Sequence, residues 1–310
     1  NSGEHMEENK HLIAFALHSN SWVYGVGSKE QLEAQSIPVV PEDFTAEMKG
    51  KVYCPVCTTP LSRTPDLKNI TTNAITAHYK HKPSFSHINC RLKVQKKQGQ
   101  LFKNEEEAKK AIENEELVVV SSWQLDPPEI SDEDEKLTEY DRTPVEDENG
   151  PETEVAIGRH NGEEFKLPSK IKNIGALCKD FDKNIHRVYI LPESRHMKVL
   201  RDALNPTSIV VDGFDKLPRL FFAKISNYKR LTYRNIIYVE TPNFQEFKLY
   251  TYPKFDERKH IDSTKIGRYI LFHSDIGWEG KDIPKSFLNA WGQYGLLPEK
   301  YEKYLPKKEI

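Results

Sequence analysis

Apolar and polar positions alternate over residues 11–26 (HLIAFALHSNSWVYGV), which predicts two strands around the turn-prone Ser19-Asn20-Ser21. A polar stretch carrying Pro38 and Pro41 follows, and Lys51-Val52-Tyr53 predicts a short strand. Asn104 with Glu107 three residues later has the form of a capping box and opens a helix to about Glu115. Residues 117–123 then return as a strand.

The period changes further along. Ser169 can cap a helix whose apolar positions Ile171, Ile174, Leu177, Phe181 and Ile185 fall at helical spacing. Residues 188–191 predict a strand, and Met197, Leu200 and Leu204 mark another helix. Beyond them come five short strand patterns, at 209–211, 219–225, 235–239, 247–252 and 268–272, punctuated by Gly, Pro, Asn and Asp. Asp282 and Pro284 then predict the start of a C-terminal helix with Phe287, Leu288 and Trp291 on one face. Five strands closed by a helix describe a small barrel-like antiparallel sheet, for which an OB-like form is one solution. The fold class is therefore α+β: a mixed N-terminal domain followed by a mixed C-terminal domain with this sheet.

The middle of the chain differs in composition. Residues 126–154 hold four prolines and few apolar side chains, and residues 129–154 carry twelve acids against Lys136 and Arg142. Such a segment cannot bury enough surface to offset the entropy of ordering, so it reads as a flexible acidic linker. The expected organisation is a first domain at 6–125, the linker at 126–154 and a second domain at 155–310. Asn1–His5, ahead of Met6, read as the remnant of an expression tag. The net charge of −2 conceals an asymmetry, because residues 129–154 alone are −10 and leave +8 on the rest. No apolar run approaches the ~18 residues that span a bilayer, and no signal-peptide pattern stands at the N-terminus. A cytoplasmic protein with no membrane partner is expected.

The candidate chemistry is concentrated in one place. Cys54-Pro55-Val56-Cys57 is followed by His78, His81, His87 and Cys90, so three of the four cysteines lie within 37 residues. A Cys-x-x-Cys knuckle places two thiolates on one tetrahedral ion, and clustering with histidines points to metal rather than disulfides. Cys54, Cys57 and Cys90 are the expected zinc ligands, with the fourth position open between His81 and His87. Four ligands close the site and make it structural, its binding energy acting as folding energy. Around it, residues 51–103 contain ten Lys or Arg and one acid, Asp66. A zinc-type site in so basic a segment points to a nucleic-acid partner.

The CPVC knuckle, the HYKHK element at residues 78–82 and Cys90 resemble the N-terminal zinc-binding module of CoiA-like proteins, over about 40 residues. That resemblance implies a bacterial setting in competence, restriction or antiviral defence, with DNA as the ligand. It also implies a second half of PD-(D/E)xK nuclease type. Here the comparable residues reduce to Asp212, Glu246 and Lys248, widely separated for that motif. An HNH-like nuclease built on His78 or His81, with His87 and Asn89, lacks the usual Asp-His pair. The reading leans away from an enzyme, with a metal-dependent endonuclease as one alternative and a zinc-module adaptor with a protein partner as another.

Arg91, Lys93, Lys96 and Lys97 follow the last candidate ligand with no acid among them, and are the first candidates for phosphate contacts. A second candidate stretch, residues 216–234 (KLPRLFFAKISNYKRLTYR), carries Lys224, Lys229 and Arg230 among interleaved aromatics. One face of a strand there would offer an aromatic beside a cation, the combination that stacks bases and neutralises phosphate. The competing expectation is a core strand with both Phe221 and Phe222 buried. Asp275, Glu279 and Asp282 around Gly277, Trp278 and Gly280 read as a polar loop.

Overall fold

The computed structural model describes residues 13–67, 77–93, 117–128, 152–156, 164–168, 171–194 and 197–307. Lys96, Lys97, the helix expected from Asn104, Ser169 and most of the acidic linker lie outside them. The chain divides into two compact units, Asn1–Gly99 with Lys303–Lys307, and Gln100–Glu302 with Lys308–Ile310. The architecture is mixed α+β, mostly sheet with few helices. Among the described residues no helix is long and apolar enough to cross a membrane.

In the first unit, β1 (Ala16–His18) lies between β2 (Ile37–Val39) and β3 (Val52–Tyr53), antiparallel to both. The second strand expected before residue 26 does not form. The chain turns there and enters α1 (Lys29–Gln35), whose capping box joins Ser28 and Gln31. Leu32 is the one buried residue of α1, too little apolar surface to register as a helical face. β4 (Leu61–Thr64) and β5 (His78–His81) form an antiparallel hairpin with Leu61 opposite His81. Their buried neighbours form a small core of Ile13, Ala16, Phe44, Val52, Leu61, Tyr79 and Leu92, together with Cys54 and Cys90.

In the second unit, β6 (Leu117–Val119) is an outer strand of a three-stranded sheet, and β7 (Glu152–Ala156) and β8 (Glu164–Pro168) pair as a hairpin. Two short helices follow, α2 (Ile174–Lys179) and α3 (Phe181–Asn184), the first capped by Asn173, whose Oδ1 accepts from Gly175 N at 2.7 Å. β9 (Val188–Ile190) pairs in parallel with β6 and antiparallel with β10 (Met197–Val199). The helix expected over Met197, Leu200 and Leu204 is instead β10, one helical turn α4 (Leu200–Ala203) and β11 (Leu204–Pro206).

The largest sheet has eight strands. β12 (Arg219–Lys229) is its spine, paired over its first half with β11 and over its second half with β13 (Asn235–Val239). A register shift between Ile225 and Asn227 marks the changeover, as a bulge does where a strand bends. β14 (Lys248–Thr251) pairs with β13, and a helix α5 (Pro253–Arg258) follows it. β15 (Tyr269–Ser274) pairs with the first half of β12. β16 (Gly277–Glu279), β17 (Ile283–Phe287) and β18 (Tyr294–Leu296) complete the order β16-β17-β14-β13-β12-β15-β18.

Three expectations change here. Among the described residues the sheet does not close into a barrel, because β16 and β18 end the ladder unpaired with one another. Residues 207–209 form a short 3-10 turn where a strand was expected. The C-terminal helix expected from Asp282 is β17, with Pro284 and Ser286 buried and Lys285 and Phe287 outward. Phe287, Leu288 and Trp291 have helical spacing, but Ser286 inside and Phe287 outside invert the polarity that a periodic reading relies on.

Candidate metal centre and basic surfaces

The knuckle is the tip between β3 and β4. Cys54 N donates to Thr59 O at 2.9 Å, and Thr58 N donates back to Cys54 O at 2.9 Å. Thr58 turns the chain with φ of 61°, a left-handed conformation that a β-branched residue rarely adopts. The turn carries Cys57 round beside Cys54, and Thr59 Oγ1 lies 3.0 Å from Cys57 Sγ. β5 reaches the knuckle through its last residue, because the register sets His81 opposite Leu61. Cys90 arrives from the loop after β5.

The side chains of Cys54, Cys57, His81 and Cys90 converge, with one ligand atom from each and all four within 4.8 Å of one another. Cys54 Sγ lies 3.8 Å from Cys90 Sγ, and Cys57 Sγ lies 3.4 Å from His81 Nε2. All the thiols are free rather than paired in disulfides. Cys54 and Cys90 are buried, while Cys57 and His81 are half-buried at the lip. This group can hold a metal ion. His87, the other histidine weighed for the fourth position, is exposed and outside the group, and His78 sits at the far end of β5.

Hydrogen bonds to Cys57 and Cys90, and then burial, push the Cys54 thiol up. Hydrogen bonds from Cys54 and Cys90 push Cys57 down, so the negative charge gathers on Cys57. Burial works against the His81 cation, but hydrogen bonds to Cys57 and Cys90 outweigh it and raise the ring to about 9. A metal would take the place of these protons.

The basic residues divide by what their charges touch. Arg63 is buried, donating to Pro41 O at 2.6 Å and to Pro65 O at 2.5 Å, so it serves the fold. Lys93, expected at phosphate, instead donates to the carbonyls of Phe85, Ser86 and Ile88 and fastens the turn that leads to Cys90. Arg91 and Lys80 are exposed, and the segment's one acid, Asp66, is held by Lys49 at 2.5 Å. In the second unit Phe221 and Phe222 are both buried, so neither ring is presented to a ligand. Lys224 is half-buried with its ammonium 5.4 Å from the centre of the Tyr269 ring, while Lys229 and Arg230 are exposed.

The residues weighed for a nuclease are also placed. Asp212 is exposed in a turn, and Lys248 pairs with Glu246 at 3.3 Å and with Glu279 at 3.2 Å. The polar loop expected around Trp278 is β16, whose Glu279 also accepts from Tyr250 OH at 2.8 Å. A group no motif announced is the buried Asp256, whose carboxylate accepts from Tyr228, Asn235, Thr251 and Tyr294. Its donors come from four separated stretches of chain, which no local pattern links.

No protein-family model matches the chain, and no curated protein matches it. Among solved structures, a chain of the S. pombe Stn1–Ten1 complex is similar over 30% of this chain and 66% of its own, with 12% identity and a TM-score of 0.24. OBody AM3L09 bound to hen egg-white lysozyme is similar over 30% of this chain and 92% of that one, with 7% identity and a TM-score of 0.23. Likeness at these values defines neither the fold nor the function of this chain.

Proposed function

We propose that the protein is a zinc-containing nucleic-acid-binding protein whose ligand is DNA, with the metal building the fold and Lys and Arg meeting the phosphates. The observation that carries this reading is the four-residue group of Cys54, Cys57, His81 and Cys90 inside the acid-poor basic segment. Tetrahedral zinc with Zn–S of about 2.3 Å and Zn–N of about 2.0 Å has edges of ~3.8 Å between sulfurs and ~3.5 Å between sulfur and nitrogen. The Cys54–Cys90 and Cys57–His81 separations of 3.8 Å and 3.4 Å match those edges. Three thiolates and one imidazole select zinc over the hard cations that prefer oxygen. A set closed by four protein ligands leaves no position for a substrate, which favours a structural role over a hydrolytic one.

In this reading the phosphate contacts fall to the exposed Arg91 and Lys80, with Lys96 and Lys97 continuing the same basic run. The setting in bacterial defence, competence or restriction rests on the resemblance of the CPVC and HYKHK elements to CoiA-like modules.

The test is a titration of zinc-loaded protein against labelled single- and double-stranded DNA at two salt concentrations, with and without magnesium. Intact DNA bound with an affinity that falls steeply with salt supports the proposal, each phosphate contact adding roughly 0.7–0.9 to the slope. Magnesium-dependent cleavage would replace it with a nuclease, and the absence of binding at low salt would turn the search to a protein partner.

A further inference from the structure

On the face of β13, β14 and β17 turned away from the main core, Tyr250 is half-buried and Phe287 exposed, beside the buried Ile236. Strand registers put Ile236 beside Tyr250 and Tyr250 beside Phe287 on this face. The opposite face, with Ile237, Leu249 and Leu288, packs into the main core. An outward row on the solvent side of a sheet is ordinarily polar. Here Phe287 is 45% exposed, and its ring stacks on Tyr250 with centroids 5.0 Å apart and planes 21° from parallel. The Arg234 guanidinium lies 3.8 Å from the centre of the Tyr252 ring and 5.8 Å from that of Phe287, and the Lys285 ammonium lies 5.6 Å from Phe287.

Charge decides what such a patch accepts. The carboxylates of Glu246 and Glu279 both pair with Lys248, and Glu279 also accepts from Tyr250 OH at 2.8 Å. Arg234 ends the run 216–234, which has six Lys or Arg and no acid. The exposed Lys229 and Arg230 in that run continue the positive charge away from the rings. A polyanion with planar groups satisfies both halves. An acidic peptide would meet the cations and leave the stacked rings without a planar partner. A duplex keeps its base faces inside its own stack, where side chains on a sheet face cannot reach them.

We infer that this face binds single-stranded DNA, stacking bases on Phe287 and Tyr250 while Lys285 meets the backbone and Arg234, donating to Tyr252 OH and Asn289 Oδ1, braces the rings. The inference rests on the DNA-binding reading above and adds a second surface and a preference for single strands.

Fluorescence anisotropy with labelled (dT)15 and a 15-base-pair duplex tests it. Phe287→Ala is expected to weaken (dT)15 binding roughly tenfold with the salt slope unchanged, because the lost contact is uncharged. Lys285→Gln is expected to lower the slope by about 0.7. Phe287→Leu keeps the apolar volume without the ring, so a thermal midpoint like that of wild type combined with weak (dT)15 binding separates stacking from folding. Wild-type affinity in Phe287→Leu, or equal losses for (dT)15 and duplex, overturns the inference and leaves the DNA reading standing. Failure of the wild type to bind either probe at low salt overturns both.

Discussion

Cys54 Sγ and Cys90 Sγ lie 3.8 Å apart although 36 positions separate them in the chain. Two buried thiols at the edge length of a zinc tetrahedron, and far from the ~2 Å of a disulfide, tie the β3–β4 tip to the segment after β5. The core around them has few apolar side chains, so a metal bound there would add a cross-link to a unit with little else to stabilise it.

Purified protein is therefore expected to contain one zinc per chain by elemental analysis. Cys90→Ser should lose stoichiometric metal and its cooperative unfolding transition in the first unit, whereas His87→Ala should keep both. Metal retention by Cys90→Ser together with metal loss by His87→Ala would contradict the assignment of the fourth ligand.

Metal affinity should depend on pH. The thiols and His81 must give up protons to bind, so binding releases protons and weakens as pH falls. Competition with a chromogenic chelator at pH 8 and pH 6 is expected to show weaker binding at the lower value, with protons released into a weakly buffered solution on loading. A flat profile would mean the ligands are not these groups.

Asp256 anchors a buried polar network in the second unit. Its Oδ2 accepts from Tyr228, Asn235 and Thr251, and its Oδ1 from Tyr294 at 2.7 Å. Burial raises its pKa while these four hydrogen bonds hold it down. Asp256→Ala would leave four donors without their acceptor, at a cost of more than about 3 kcal/mol in a denaturant titration. A loss below about 1 kcal/mol would show that the donors find other partners.

Lys259, one turn further along, places its ammonium 3.9 Å from the centre of the Trp291 ring and donates to Tyr294 O at 3.0 Å. Burial lowers its pKa to about 7, against an upward pull from Cys178 and Asp256. In the unfolded chain lysine titrates near 10.4. Between about 7 and about 10 the unfolded state thus holds more protons, and stability rises with pH. Urea midpoints at pH 7 and pH 9 should differ in wild type, and Lys259→Met should remove that difference.

Gly292 occupies a close crossing of three backbones. Gly292 N donates to Gln124 O at 2.8 Å and Gln124 N donates to Lys172 O at 2.8 Å, and a Cβ on Gly292 would lie 2.1 Å from Lys172 O. Gly292→Ala is expected to cost roughly 1–3 kcal/mol or more, because backbone rather than a flexible side chain would have to move. An unchanged thermal midpoint would show that the crossing can open.

The candidate metal ligands were legible to different depths. Cys54-x-x-Cys57 announces itself because two ligands on one turn need no knowledge of the rest of the fold. His81 and His87 looked equivalent along the chain, and the pairing of Leu61 with His81 separates them. Lys93 read as a phosphate contact because its charge is visible in the sequence, while the three carbonyls it fastens are not.

Residue order alone placed the candidate soft ligands on a basic segment, an acidic stretch in the middle and a strand-rich second half. Tertiary structure alone decided that β12 bends between two sets of partners, that Phe287 faces outward from a strand rather than inward from a helix, and that Asp256 collects four donors. The physical reason is range. Ligand spacing and charge are carried by neighbouring residues, whereas a short strand gains its identity from partners far along the chain.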